Sequence, residues 1–446
     1  MNIKKDILLR VRIAFLVAIV FVLAVVYRMV NIQMIDGDKW RAQAKARSLD
    51  YQTIKATRGS IYADGNDLLA TSLPFYKLAF DPSVVDETIF TSKLDSLSHL
   101  LSAFFRDHSS NYYKKKISEA RQAQKEYLLL SNKDLDYIQK EEVAQWPIFR
   151  LGQMEGGVIF EKVDKRHNPF RKLAERTIGG IREGSARFGI EKSFDNYLAG
   201  KDGEGLFQRV AGNNWKPVNA SSDVRPINGY DVHTTIDINL QDVAQSALLR
   251  QVTKYEAVYG TVVLMEVKTG EIKAISNLRR TKNGNYAESL NYAVAENNDP
   301  GSTFKLASML ALLEAGKVEL TDSVDTGEGT HEFSDRVMTD ANAHRGGYGM
   351  LSVEDVFVKS SNVGTAMMVD EHFGANPQEY IDIIKNTGFG KPLDFQLIGE
   401  GVPYIKDADD ESWSNVTLPW MSIGYETQLT PLQTLTPTTV QLISKT

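Results

Sequence analysis

Two residues that could perform covalent chemistry together, Ser302 and Lys305, lie three positions apart at the start of a long apolar run. Residues with this spacing share one side of a helix, so the lysine amine could accept the serine proton and make the hydroxyl a nucleophile. A Pro-Gly turn precedes Ser302, and Gly316 marks the expected end of the helix. Because so apolar a helix is buried, we expect burial to lower the pKa of Lys305 toward that of a general base.

A second polar segment, Ser360-Ser361-Asn362, separates two stretches with helical spacing. Taken alone, it is most simply a turn or a helix cap, because short polar side chains bond to nearby backbone groups. A serine followed at this spacing by a lysine also occurs about once or twice by chance in a chain of this length. Neither segment therefore identifies a function without the other.

Several other kinds of site find no support in the sequence. The seven histidines include no His-Glu-x-x-His pair, and the chain has no cysteine for a disulfide, a thiolate metal site or a thiol nucleophile. The acidic run 407–411 fits a solvated loop better than a calcium site. The formal net charge of -6 and the lack of a basic patch give no support to a nucleic-acid partner. We expect an active site without a metal or a cofactor.

The N-terminus carries the pattern of a membrane anchor. Residues 13–27 are uncharged, and the apolar character extends over roughly 20 residues, enough to cross a bilayer. Because basic residues precede this run, residues 1–12 are predicted to stay in the cytoplasm, 13–32 to span the membrane, and the rest to lie outside. A cleaved signal peptide is the competing interpretation, but no small-residue cleavage site follows directly.

A domain boundary is predicted near residue 225, in the segment SSDVRPING. Upstream of it, an Asp-Gly-Asn turn predicts a hairpin within 58–71. The stretch 92–151 has polar helical spacing, which predicts surface helices.

Downstream of that boundary, the pattern predicts an α/β domain. Asp237 is the expected cap of an amphipathic helix, and β-rich runs on both sides of Lys268-Thr269-Gly270 predict a hairpin. These elements and the buried helix of Ser302 indicate a sheet covered by helices. The apolar face of the helix after Asp237 is predicted to contain Leu240, Val243, Ala244, Ala247 and Leu248.

The segment PGSTFK followed by SSN resembles the active-site signature of penicillin-binding proteins and serine β-lactamases. Other segments resemble, in the same order, the signatures of the monofunctional class B penicillin-binding proteins. SIGYE together with a single anchor looks more like the division-type branch than the elongation-type branch. The segments are RGSIYADGNDLLATS, RHNPFRKLAERTIGG, GIEKSFDNYLAGKDGEG, GYDVHTTIDINLQ, TGEIKAISN, GFGKP and SIGYETQLTPLQ.

The resemblance implies a fold and a domain order. A penicillin-binding, β-lactamase-like transpeptidase domain of the α/β class would occupy 226–446. An elongated α+β pedestal domain of the dimerisation type would precede it at 33–225. Arg58, Gly59, Gly189 and Glu191 match motifs of that pedestal, where they would be structural or face a partner.

The resemblance also implies a role for each site residue. Ser302 would attack the penultimate D-alanine carbonyl of a peptidoglycan stem peptide and form an acyl-enzyme, with Lys305 as the base. Ser360 would relay protons to the leaving amine, and Asn362 would hold an amide of the substrate. The backbone N–H of Ser302 would supply half of the oxyanion hole.

The implied function is a D,D-transpeptidase that cross-links stem peptides during septal wall synthesis and is acylated by β-lactams. A monofunctional transpeptidase needs glycan strands made by another enzyme. The implied partners are therefore a SEDS-type glycosyltransferase and other division proteins of the membrane. The domain would act on the outer side of the cytoplasmic membrane.

The sequence departs from the family pattern after SIGYE. The family's third signature, a Lys-Thr/Ser-Gly strand, is absent downstream, and Lys268-Thr269-Gly270 precedes Ser302 as a predicted turn. Pro437 falls where a helix is expected and should break it. We therefore expect a C-terminally incomplete transpeptidase domain with impaired activity. The alternative is a catalytically defective fragment or scaffold of a wall-synthesis complex.

Overall fold

The computed structural model describes residues 3–36, 38–39, 49–182, 184–210, 214–217 and 223–443. By their internal contacts these residues form two units. The first contains residues up to 57, 72–165 and 200–229, and the second contains 58–71, 166–199 and 230 onward. The segments 58–71 and 166–199 therefore group with the second unit, whereas the sequence suggested one boundary near residue 225.

The helices and strands are numbered in chain order. The helices are α1 Ile3–Val30, α2 Glu87–Phe105, α3 Ser110–Gln122, α4 Tyr137–Ala144, α5 Gly152–Gly156, α6 Glu175–Ile178, α7 Gly189–Ser193, α8 Asp195–Leu198, α9 Ile238–Lys254, α10 Tyr292–Ala295, α11 Lys305–Glu314, α12 Val353–Val358, α13 Asn362–Phe373, α14 Pro377–Asn386, α15 Thr417–Ser422 and α16 Pro431–Ile443. The strands are β1 Leu49–Ile54, β2 Ile61–Tyr62, β3 Leu68–Phe80, β4 Leu128–Leu129, β5 Val158–His167, β6 Gly180–Arg182, β7 Ser185–Phe188, β8 Gly203–Val210, β9 Asn214–Pro217, β10 Val232–His233, β11 Tyr259–Met265, β12 Ile272–Arg280, β13 Tyr286–Ala287, β14 Ser323–Asp325, β15 Thr330–Phe333, β16 Arg336–Thr339, β17 Met350–Ser352, β18 Tyr404–Ile405 and β19 Thr427–Gln428.

The N-terminal helix α1 contains the segment predicted to be the anchor. Its part from Arg12 to Val30 has a mean hydropathy of 2.7, and its side chains are exposed. Among the described residues it is the one helix long and apolar enough to cross a membrane. Exposed apolar side chains over this length fit a lipid environment.

Helices, a three-stranded sheet and most of the paired strands β3, β4 and β5 form the first unit. β8 lies between β1 and β9 and pairs antiparallel with both. Helix α2 starts at Asp86, whose carboxylate accepts the backbone N–H groups of Thr88 and Ile89. Helices α2, α3 and α4 contribute buried side chains such as Leu97 and Tyr113 to one apolar core. The helical prediction for 92–151 is confirmed at α2, α3 and α4, whereas strand β4 interrupts the stretch. These helices also bury one face, because their apolar residues recur at helical spacing.

The predicted hairpin within 58–71 is present in the second unit. β2 pairs antiparallel with the start of β3, and the Ala63 N–H donates to the Asp67 carbonyl at 2.8 Å. Gly65 and Asn66 have φ values of 90° and 69°, the left-handed conformation that a tight hairpin turn requires. The turn therefore follows from residue types that adopt positive φ easily.

Helix α9 begins where predicted and buries Ala244 and Leu248 as expected, but its buried face is rotated away from Leu240 and Val243. The Asp237 carboxylate accepts the N–H groups of Asn239 and Leu240 at 2.8 and 2.9 Å, which confirms the cap. Val243 and Leu240, predicted to be buried, are 63% and 40% exposed. Gln241 is buried instead, because its side-chain amide bonds to both backbone groups of Ile275 in β12. The buried face is Gln241, Ala244, Leu248 and Val252.

The hairpin predicted around Lys268-Thr269-Gly270 is also present. β11 and β12 pair antiparallel, and β12 pairs on its other side with β13. The Gly270 N–H donates to the Glu266 carbonyl at 2.9 Å, and Thr269 Oγ1 donates to the Glu266 carboxylate at 2.6 Å. These three residues therefore form a turn, as the sequence indicated.

Helix α16 continues through Pro437, so the predicted break at this residue is wrong. Because proline has no backbone N–H, the Gln433 carbonyl, four residues earlier, has no donor within the helix. Thr436 Oγ1 donates to the Leu432 carbonyl at 2.9 Å within the same turn. The loss is confined to one carbonyl, and the neighbouring turns continue.

A buried ion-pair cluster lies in the second unit. The Glu191 carboxylate, 1% exposed, accepts Arg58 Nε at 2.8 Å and Arg166 Nε at 2.6 Å. Arg58 Nη1 also donates to Asp195 at 2.6 Å, and Arg166 Nη1 to the Gly59 carbonyl at 2.7 Å. Removing one partner of such a cluster leaves a buried charge uncompensated. This geometry supports the structural interpretation of Arg58 and Glu191.

Candidate active site

The segment with Ser302 begins as a 3₁₀ turn, Gly301–Phe304, that leads directly into α11. The Gly301 N–H donates to the Gly424 carbonyl at 3.0 Å. A Cβ added at Gly424 would lie 2.0 Å from the Gly301 carbonyl oxygen, so this close approach requires glycine. Ser302 is exposed, whereas Lys305 is only 1% exposed. The candidate nucleophile therefore faces solvent, and the candidate base lies beneath it in the protein.

Lys305 is held by three oxygen atoms of the second polar segment. Its Nζ donates to the Ser360 carbonyl at 2.7 Å, to Ser360 Oγ at 3.1 Å and to Asn362 Oδ1 at 2.6 Å. Burial lowers the pKa of Lys305 to about 8, and the negative charge of Asp340 acts in the opposite direction. An amine with this pKa is neutral in a useful fraction of molecules near neutral pH and can accept a proton.

The backbone and side-chain conformations of Ser360 and Asn362 are both restrained. Ser360 has a φ of 52°, a left-handed conformation that is strained for a serine and is often found at functional sites. Asn362 Nδ2 donates to the Thr339 carbonyl at 2.9 Å. This bond turns the other end of the amide, Oδ1, toward Lys305.

Asp340 was missed by sequence reasoning. It is 3% exposed and precedes Ser361 by 21 positions, with no motif to mark it. Its Oδ2 accepts the Ser361 hydroxyl at 2.7 Å, and its Oδ1 accepts the N–H groups of Asn362 and Val363 at 2.5 and 3.0 Å. No local sequence signal marks it, because only the fold brings Asp340 to the start of α13, where a negative charge is favourable.

Helix α11 is also fixed on the side away from solvent. Ser308 Oγ donates to the Ser422 carbonyl at 2.6 Å and lies 2.7 Å from the hydroxyl oxygen of Tyr380. All three residues are fully buried. Buried hydroxyl groups that are fully bonded fix the position of the helices that carry them. The SIGYE segment therefore helps to position α11.

The predicted site residues come together in part. Lys305, Ser360 and Asn362 form one hydrogen-bonded group, and Ser302 lies one turn before Lys305. Within the part of the chain that the structure describes, Ser302 Oγ is not among the acceptors of Lys305 Nζ. Candidate catalytic bonds are often formed only once substrate is bound. The arrangement suits acyl transfer by a serine nucleophile with a lysine base.

Two family models match the sequence. The one described as "Penicillin binding protein transpeptidase domain" matches residues 260–440, and "Penicillin-binding Protein dimerisation domain" matches 53–234. Together they cover most of the chain, and the dimerisation domain precedes the transpeptidase domain. The protein belongs to the class B penicillin-binding proteins.

Curated relatives extend over nearly the whole chain. The "Probable peptidoglycan D,D-transpeptidase PenA" of Neisseria meningitidis serogroup A is 28% identical over 441 residues, which are 97% of this chain and 71% of the relative. The "Peptidoglycan D,D-transpeptidase FtsI" of Escherichia coli K12 is 25% identical over 429 residues, 94% of this chain and 67% of the relative.

Solved structures agree on the fold. Penicillin Binding Protein 2X from Streptococcus thermophilus superposes with a TM-score of 0.69 at 20% identity, covering 88% of this chain and 59% of that one. PBP2 in a complex with MreC from Helicobacter pylori gives a TM-score of 0.64 at 18% identity, covering 88% and 77%. The predicted α/β transpeptidase fold, preceded by a dimerisation domain and an N-terminal apolar helix, is therefore confirmed.

Proposed function

We propose that this protein is a peptidoglycan D,D-transpeptidase of septal wall synthesis and that β-lactams acylate it. The two curated relatives described above are named as peptidoglycan D,D-transpeptidases. The single observation that supports it most strongly is the buried Lys305 amine, with its lowered pKa, bonded to Ser360 and Asn362 one turn from an exposed serine. A lysine is almost never fully buried in a protein without an opposite charge beside it, so a buried amine held by neutral oxygen atoms calls for a functional reason.

The proposed reaction has two acyl transfers. Ser302 Oγ attacks the carbonyl of the penultimate D-alanine of a stem peptide, and Lys305 accepts the hydroxyl proton. Ser360, bonded to Lys305, relays this proton to the nitrogen of the terminal D-alanine, which leaves as the free amino acid as the amide bond breaks and the acyl-enzyme forms. An amine of a neighbouring stem peptide then attacks the ester, forms the cross-link and regenerates the serine.

The remaining groups bind the substrate and stabilise the oxyanion. Asn362 Nδ2, held against the Thr339 carbonyl, presents the edge of its amide to a substrate amide. The Ser302 N–H lies in the first turn of the helical segment, where backbone N–H groups stabilise an oxyanion. A β-lactam mimics the scissile amide, and its ring opening leaves the acyl group on Ser302.

Release of D-alanine tests this function against the scaffold alternative. The purified protein is incubated with a stem pentapeptide that ends in D-Ala-D-Ala, and free D-alanine is measured over time. Release that stops after preincubation with benzylpenicillin supports formation of the acyl-enzyme, the first step of the proposed reaction. Complete absence of release and of acylation would support a scaffold in a wall-synthesis complex.

We propose that α1 spans the membrane with its N-terminus in the cytoplasm, because basic residues precede the apolar run. Alkaline phosphatase fused after the anchor is therefore expected to be active in a Gram-negative host, since this enzyme folds only outside the cytoplasm. Green fluorescent protein at the same position is the reciprocal control. An inactive phosphatase fusion together with a fluorescent protein fusion that does fluoresce would contradict the proposed orientation.

We also propose that the anchor contacts a membrane-embedded glycosyltransferase of the SEDS type and, through it, other division proteins. A transpeptidase acts on new glycan strands, and the exposed apolar side chains of 13–27 offer a surface for another membrane helix. Exchanging 13–27 for an unrelated spanning helix is expected to weaken co-purification of the two proteins. If the two proteins co-purify equally with the native and the exchanged helix, the anchor does not contribute to their contact.

A further inference from the structure

Asp340 is a buried carboxylate placed next to the proposed catalytic group. It is 3% exposed, and it makes three hydrogen bonds to the first residues of α13 and its cap. Two are from the N–H groups of Asn362 and Val363, and the third is from the Ser361 hydroxyl. Ser361 Oγ in turn accepts the Gly364 N–H at 2.9 Å. One carboxylate thus satisfies the N-terminal groups of α13 directly and through Ser361.

This network fixes residues that the proposed reaction uses. Ser360 directly precedes the capping residue Ser361 and has the strained φ of 52°. Such a conformation persists only where the surrounding structure holds it. Asn362 is both the residue that Asp340 bonds and the one whose Oδ1 accepts Lys305. Without Asp340, the start of α13 would lose three bonds, and Ser360 and Asn362 would lose their fixed positions.

Asp340 also acts on Lys305 through its charge. A negative charge favours the protonated amine, so Asp340 raises the pKa of Lys305, while burial lowers it by more. Asp340 is the charged group that changes this pKa. The helices packed against α11 carry further titratable side chains that are buried or half-buried, namely Asp355, His372, Glu379, Tyr380 and Lys385.

We propose that Asp340 is a positioning residue of this active site, which holds Ser360 and Asn362 against Lys305 and supplies the negative charge that balances the buried ammonium. The inference rests on the proposed function, because it assigns Lys305 the role of a base. It adds a residue outside the two motifs. The two effects of Asp340, geometric and electrostatic, are separable by substitution.

Asp340→Asn removes the charge and can keep the geometry. The asparagine Oδ1 can accept the two N–H groups, and its Nδ2 can donate to Ser361 Oγ, which has a second lone pair. The rate of penicillin acylation rises with pH as Lys305 loses its proton. In Asp340→Asn the pKa of Lys305 falls, so this rise is expected to move to lower pH. A purely structural role would reduce the rate without moving the midpoint.

Asp340→Ala removes both effects. We expect its acylation rate to fall by up to about 10²-fold, the loss that a displacement of about 1 Å in a catalytic group can cause. Asp237→Asn is the matched control, because Asp237 caps α9 through the same kind of bonds. It is expected to leave the midpoint unchanged. Thermal unfolding of each variant shows whether it folds. If Asp340→Ala does not fold, Asp340→Asn alone decides the outcome.

A second measurement separates this proposal from the proposed function. The pH dependence of Lys305 acetylation by acetic anhydride, followed by mass spectrometry, reports the pKa of the amine without any turnover. A lower midpoint in Asp340→Asn than in the wild type supports the electrostatic role even if no penicillin is bound. An unchanged or raised midpoint, or wild-type acylation in a folded Asp340→Ala, would overturn the proposal.

Discussion

Ser302→Ala is expected to abolish covalent labelling by a fluorescent penicillin, because it removes the Oγ atom on which the proposed mechanism forms the acyl ester. The side chain is exposed in the 3₁₀ turn before α11, so its loss leaves no cavity in the core. The variant should therefore unfold at the same temperature as the wild type. Labelling is measured as band fluorescence after denaturing electrophoresis, over times long enough to detect slow acylation.

Thr303→Ala is the matched control for this variant. Thr303 is the next residue of the same turn, is also exposed, and donates its hydroxyl to the Pro300 carbonyl at 2.7 Å. Removing this hydroxyl tests whether any change to the turn affects acylation. Thr303→Ala should keep most of the labelling. An equal loss of labelling in both variants would mean that labelling depends on the structure of the turn and not on the Ser302 hydroxyl.

Lys305→Ala is expected to reduce acylation by about 10²–10⁴-fold, the contribution typical of a positioned general base. Burial holds the pKa of Lys305 at about 8, so acylation by the wild type should increase as pH rises through 8. The rate increases with pH because the neutral amine accepts the serine proton, and the fraction of neutral amine grows above the pKa. Lys305→Ala should lose this rise, and stopped-flow labelling across pH measures both effects.

Two variants serve as comparisons for Lys305. Lys305→Arg keeps a positive charge but cannot act as a base, because a guanidinium stays protonated at all accessible pH values. It should be as slow as Lys305→Ala. Lys317→Ala removes a partly exposed lysine after the same helix, paired with Glu379 at 3.3 Å, and should acylate normally. Rapid, pH-dependent acylation of Lys305→Arg would show that another group is the base.

The parts of the fold that depend on neighbouring residues could be predicted from the sequence. Asp237 caps α9 through bonds to residues two and three positions later, and the turn at Gly65 and Asn66 needs only their tolerance of positive φ. The buried position of Lys305 followed from the apolar residues that surround it in sequence. These are local properties of the chain.

The parts that depend on distant contacts could not be predicted. Helix α9 turns Gln241 inward because β12 offers it two backbone partners, a match that periodicity does not reveal. Residues 58–71 and 166–199 join the second unit through contacts with segments far along the chain. Pro437 is tolerated because one lost bond does not end a helix that other contacts hold.

The candidate site shows the same division. The motifs identified Ser302, Lys305, Ser360 and Asn362, since their types and spacing carry the resemblance. The contact of Asp340 with the start of α13 spans more than 20 positions and joins a loop to a helix. A single aspartate in a polar loop has no distinguishing pattern. Only the three-dimensional arrangement assigns it to the site.

Peptide mapping after acylation tests the central claim most directly. The wild-type protein is incubated with benzylpenicillin, denatured and digested with trypsin, and the peptide 283–305 is fragmented by tandem mass spectrometry. We expect one penicilloyl adduct, located at Ser302, and none in the same peptide of Ser302→Ala. An adduct on another residue, or an equal adduct in Ser302→Ala, would contradict the assignment of Ser302 as the nucleophile.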